Sequence, residues 1–396
     1  MSIGTLLVDT AVAGSAAASL WQAPRALRRP APSEVANGQR GATPEVALAA
    51  VTALIFLNQV LVTVYLLRVH GGDASFVARL LPPGWFDLAD GPAMRAFAAH
   101  VPAPELLAPC LLRVPALLEL PFVLLVFLAV LRRLDPGTYR RAALSPLLPL
   151  AAASYTAVFC AVEWQLRTPW TGQDIALRLL SAVLIPPAIA ALVRRDARAT
   201  DRAPAWPPGT AGLLLFAVDL AALGHLVLAV YDTALLYNLG RLPGRLPGAV
   251  AAVAVLAATA LLRRRIPSAT GSAAQPATGL LADGLRRSLV LFFVPALAIR
   301  YGVNFGTPLL AAAAGLLVLL AAAVPALATR PRTSALALVP AALAALLAAA
   351  AAVRLTTGVH YETALLGAAV AAVAAAVLTC RLADRVLSPA VAGRRR

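Results

Sequence analysis

Apolar stretches about twenty residues long recur along this 396-residue chain, separated by short breaks that carry arginine. A helix rising about 1.5 Å per residue needs roughly twenty apolar residues to cross a hydrocarbon layer of about 30 Å. Ten such windows lie near residues 46–67, 105–131, 143–166, 174–193, 209–236, 248–262, 288–303, 307–329, 334–353 and 363–380. A weaker stretch, 2–20, contains Asp9 and is an eleventh span or an interfacial segment. It is a poor signal peptide, because Arg25, Arg28 and Arg29 follow the apolar run instead of preceding it. The expected fold is an all-α, polytopic integral membrane bundle of ten or eleven transmembrane helices.

The charge pattern gives that bundle an orientation. Only 13% of residues are charged against 60% hydrophobic, far from the balance of a water-soluble domain. The net charge of +16 comes entirely from arginine among the basic residues, which with the abundance of Ala, Leu, Pro and Gly reads as the codon bias of a high-GC bacterium. Of the 34 basic residues, 24 fall in alternate breaks together with seven acids, and the other ten share the rest of the chain with eleven acids. The positive-inside rule makes the first set cytoplasmic, places the C-terminus inside and assigns the protein to the plasma membrane. Anionic inner-leaflet lipids complement this charge, so nucleic acid is not needed as a partner.

Four regions are expected. Residues 1–44 form the weak first segment and a basic stretch, and 45–262 a polar-rich bundle with a long external loop at 68–104. Residues 263–287 read as a cytoplasmic linker, RRR at one end and RR near the other, and 288–396 as an Ala-rich bundle with a basic tail. Small residues such as these allow close helix packing without encoding chemistry.

Ionisable side chains within apolar spans are expensive and therefore candidates for function. In the external loop, Asp73 follows a Gly-Gly turn and Trp85 is an aromatic anchor of the kind found in interfacial helices. Glu163 and Trp164 sit at one outer helix end, where Glu163 and Arg167 also have the spacing of an ordinary i,i+4 ion pair. Arg300 and Arg354 fall at other outer ends. Deeper, Glu119 lies between Pro115 and Pro121 in LLRVPALLELPFVLL, the signature of a pathway or of a buried neutral carboxyl. His225 and Asp232 stand seven residues apart, on one helical face, as a proton or ion relay would require; a buried histidine satisfied by its neighbours is the alternative. Cys110, Cys160 and Cys380 form no CxxC pair, so no metal site is expected. The sequence names no cofactor: Walker, HExxH, GxSxG and DDxxD strings are absent.

One string, Arg354 followed by five residues and His360, resembles the third signature of the type 2 phosphatidic acid phosphatases, a family of membrane lipid phosphatases. That resemblance implies an arginine holding phosphate and a histidine attacking phosphorus. The sequence departs from the signature at Val353, where the family has Ser, and at Ala364, where it has Asp. The outward clustering of polar residues also resembles, in topology, the C-class membrane glycosyltransferases, which implies a base in the first external loop, Asp73.

The leading expectation is a transferase-like membrane enzyme acting at the outer face on a lipid-linked or isoprenoid substrate. Asp73, Glu163 and His360 would be catalytic, with Arg300, Arg354, Trp85 and Trp164 binding substrate. The alternative is a proton- or cation-coupled transporter using Glu119, His225 and Asp232. A non-catalytic membrane subunit is the third possibility.

Overall fold

A computed structural model describes residues 42–79, 86–166, 169–200, 209–235, 239–265, 276–291, 328, 331–356 and 361–392, and among these there is no strand. The helices are α1 (Pro44–Val69), α2 (Ser75–Ala78), α3 (Pro92–Ala99), α4 (Arg113–Leu134), α5 (Pro136–Leu144), α6 (Leu147–Leu166) and α7 (Thr171–Ala199). They continue with α8 (Thr210–Val230), α9 (Leu242–Arg265), α10 (Pro276–Leu291), α11 (Pro331–Leu355) and α12 (Tyr361–Ala392). Among the described residues, six helices are long and apolar enough to cross a membrane, and seven spans result if α5 and α6 count as one. The window at 2–20, residues 292–303 of the window 288–303, and all of 307–329 except residue 328 lie outside the described residues.

Local chemistry sets the helix ends. Pro44 occupies the first turn of α1, where a missing N–H is harmless, and the Thr43 hydroxyl accepts from Val46 N. At the other end Gly71 and Gly72 adopt positive φ, and Gly72 N returns to the Leu66 carbonyl. Asp135 starts α5 by accepting from both the backbone N and the hydroxyl of Thr138.

Three boundaries differ from the sequence reading. The span expected from residue 105 begins at Arg113, because Pro104 and Pro109 hold 104–110 in a 3-10 segment. The span expected from residue 143 is an elbow, with α5 and α6 meeting at 82° around Ser145 and Pro146. The expected linker is partly helical: α9 runs through the RRR triplet, and α10 opens at Pro276.

Contacts divide the chain into two units. In the first (Met1–Arg202, Ala229–Leu246 and Leu291–Leu316), α4 is the central helix, packed against α1, α6 and α7, with 78% of its apolar window buried. On the Arg-rich end of this unit Arg132 grips Asp196 with two nitrogens and Glu45 with a third, while the Tyr139 hydroxyl donates to Asp196 at 2.7 Å. That one network ties together α1, α4, α5 and α7.

The second unit (Ala203–Leu228, Pro247–Val290 and Leu317–Arg396) is organised differently. Helices α11 and α12 pack along each other through Ala337, Ala341, Ala376 and Cys380, together with Ala277 of α10. Asp384 caps α10 by accepting from Ala277 N, Thr278 N and the Thr278 hydroxyl. Asp219, fully buried, is held by the Thr259 hydroxyl and by Arg263.

Candidate functional site

Glu119 is the centre of the polar chemistry inside the first unit. It sits nearly two helical turns into α4, 4% exposed, in the helix that the rest of the unit wraps. Three groups converge on its carboxylate. The hydroxyls of Tyr155 and Tyr231 donate to Oε1 at 2.5 and 2.7 Å, and a guanidinium nitrogen of Arg178 lies 2.6 Å from Oε2. Arg178 Nε in turn reaches Asp174 Oδ2 at 2.6 Å, one turn back along α7. The guanidinium carbon stands 3.4 Å above the Phe159 ring, which itself stacks on Tyr155.

Four elements supply these groups, and each does so for a local reason. Tyr155 and Phe159 are four apart on α6 and share a face, as do Asp174 and Arg178 on α7. Tyr231 and Asp232 come from a π-turn over Tyr231–Leu235 that follows α8, a widening often found at functional positions. Tyr231 reaches Glu119, and its neighbour Asp232, 2% exposed, pairs with Arg245 at 3.2 Å.

The electrostatics are unbalanced. Within the core of the cluster two carboxylates, Glu119 and Asp174, share the one cation Arg178, and half-buried Glu163 lies within electrostatic range of all three. Isolated charge in an apolar interior costs several kcal/mol per ion unless it is neutralised. Arg178 answers one negative charge, and the other calls for a proton or a cation.

A cavity of about 240 Å³ adjoins this cluster. Tyr65, His70, Arg113, Trp170, Gln173 and Asp174 line it, so Asp174 belongs both to the cavity wall and to the buried network. His70 is fixed there by a hydrogen bond with the Tyr65 hydroxyl at 3.2 Å and by a tilted contact with Phe76. Arg113 approaches Gln173 across the cavity at 3.5 Å.

The other sequence-nominated residues are placed as follows. Asp73 is at the surface and accepts from Ser75 N at 2.8 Å, closing a local turn at the start of α2. The Ser75 backbone N–H, its hydroxyl and then His70 hold the Asp73 carboxyl below its ordinary value. Trp164 is 55% exposed, as a belt aromatic would be. His225 belongs to the second unit, where its Nε2 would stand 2.7 Å from any Cβ at Gly248, so that position admits only glycine without rearrangement. Asp232 belongs to the first unit, and the π-turn departs from the 3.6-residue period that the His225–Asp232 spacing assumed. Arg354 is exposed near the end of α11. Trp85, Arg300 and His360 lie outside the described residues.

Sequence reasoning missed Arg178, Tyr155 and Tyr231. Arg178 had a legible signal, an Asp174-x-x-x-Arg178 spacing inside an otherwise apolar window. The two tyrosines had none, since they lie 36 and 112 residues from Glu119. Among the described residues no cluster of His, Cys, Asp and Glu is arranged to hold a metal ion. No protein-family model, curated protein or solved structure matches the chain.

Proposed function

We propose that the protein is a multi-pass carrier of the plasma membrane in which movement of a small solute is coupled to protonation of the Glu119–Asp174 pair. The observation that carries this reading is the buried cluster in which two carboxylates share the single guanidinium of Arg178. A proton taken up from the outer cavity at Asp174 neutralises the surplus charge. It also loosens the hold of Arg178 on one carboxylate, and with it the grip between α4 and α7. Tyr155 and Tyr231 tether the same carboxylate to α6 and to the π-turn, so four elements respond to one proton. The positive-inside rule supports ten or eleven crossings with the C-terminus in the cytoplasm, which makes the cavity extracytoplasmic.

The groups facing the pair from the surrounding elements are Tyr155, Cys160 and Glu163 of α6, Arg178 of α7 and Tyr231 of the π-turn. Glu163 is the one among them placed to relay a proton. Purified protein in proteoliposomes on a solid-supported membrane, stepped from mildly alkaline to mildly acidic buffer, is expected to give a transient inward current. Glu119→Gln and Asp174→Asn are expected to abolish it, and Asp73→Asn to leave it intact. Currents of wild-type size in both of the first two variants would overturn the proposal.

The second reading, a transferase-like enzyme acting on a lipid-linked substrate, is favoured by one observation. The same cavity is lined by Arg113, His70 and Trp170, a cation, an imidazole and an aromatic platform. Saturable retention of a polyprenyl phosphate by wild type but not by Arg113→Gln, with no proton current in either, would favour the enzyme.

A further inference from the structure

A second cavity of the first unit lies away from the Glu119 cluster. It encloses about 680 Å³ where the α5–α6 elbow meets the second half of α7. Leu144, Leu148, Val183 and the Pro186–Pro187 pair form its walls, and Arg194 and Arg198 continue the lining along α7. Pro186 and Pro187 lie inside α7 beside this groove, where each lacks the N–H that would bond back along the helix.

Three features identify what fills this groove. The first is length. From Ala182 to Arg198 is sixteen residues, about 24 Å of helix. One leaflet, half the hydrocarbon plus a headgroup layer, measures roughly 20–22 Å. The second is the surface around it: Leu180, Val183 and Leu184 are at least half exposed, a face fit for acyl chains. The third is charge. Arg140, Arg141, Arg194, Arg195 and Arg198 gather at this end, while Glu45 and Asp196 are already paired with Arg132. Arg194 is exposed and has no ion pair among the described residues.

We infer that this groove is a binding site for an anionic phospholipid of the Arg-rich leaflet. One acyl chain lies along Leu148 and Val183, and the phosphate sits between Arg194 and Arg198, whose planar guanidinium groups suit phosphate oxygens. Basic pockets between helices on that side of a membrane take acidic headgroups for the same reason.

The test uses the full-length protein in phosphatidylcholine vesicles containing a trace of spin-labelled phosphatidylglycerol or spin-labelled phosphatidylcholine. Electron paramagnetic resonance then reads the fraction of each label held against the protein. Wild type is expected to retain phosphatidylglycerol over phosphatidylcholine by on the order of tenfold at the specific site. R194Q/R198Q is expected to remove that preference, and R194K/R198K to keep most of it. Ala191→Trp, which fills the groove and leaves both arginines in place, is expected to lower retention of phosphatidylglycerol even if the double Gln variant fails to fold. Equal retention of the two lipids by wild type, or a preference that survives both R194Q/R198Q and Ala191→Trp, would overturn the inference. Such a result would turn attention to an acidic protein segment as the occupant.

Discussion

Helices α4 and α11 have nearly the same mean hydropathy and length, yet 78% of one apolar window is buried in its unit against 11% of the other. The first surrounds an acid with three hydrogen-bonding partners, while the second has no ionisable residue between Arg332 and Arg354. Hydropathy measures what a helix can tolerate next to lipid. It does not measure whether lipid or protein stands there, and only a helix shielded by neighbours can carry a carboxylate through its middle. The difference between the two units is therefore one of surroundings.

The comparison breaks most visibly at Arg178. Arg178→Met keeps the contact with Phe159 but leaves Glu119 and Asp174 as two buried carboxylates without a cation. It is expected to destabilise the first unit by about 3–5 kcal/mol, read as a fall in thermal midpoint in detergent. A helix cap in the second unit gives the contrasting case. Asp384→Ala removes the cap of α10 and is expected to cost about 1–2 kcal/mol in the same assay. Equal losses in the two variants would erase the distinction between two carboxylates that share one buried cation and a carboxylate that caps a helix. On the exposed face of α11, Leu347→Ala is expected to change stability by less than about 0.5 kcal/mol, because no cavity forms where lipid replaces the side chain.

The smallest effect belongs to the turn at Asp73. Asp73 titrates below its usual value of 3.8 because the Ser75 N–H favours the ionised form. Its contribution is therefore fully present above 3.8 and is lost as the pH falls through the lower folded-state value. Amide exchange at Ser75 is expected to lose protection over that acid range in wild type, and to show no such transition in Asp73→Asn.

Much of the frame was legible because hydropathy is a local property. The windows at 46–67, 174–193 and 334–353 each fall inside a helix, α1, α7 and α11. Glu119 was legible as an anomaly, an acid between prolines, although its partners were not, since Tyr155, Arg178 and Tyr231 meet it across 36, 59 and 112 residues. The 3-10 segment at 104–110 was written in Pro104 and Pro109 but hidden under a smooth apolar average. The elbow was hidden for the same reason, because a window centred on residue 150 passes over Ser145 and Pro146 without registering the turn.

That elbow also bears on how the candidate spans are counted. At nine residues α5 rises only about 13.5 Å, less than half the hydrocarbon thickness, whereas the twenty residues of α6 rise about 30 Å. Together they count as at most one candidate span. Two helices joined by a sharp bend invite being counted as an out-and-back hairpin, and that miscount would invert the sidedness of every loop downstream of Leu166. For a multi-pass chain, the parity of the later loops would hang on the shortness of one nine-residue helix.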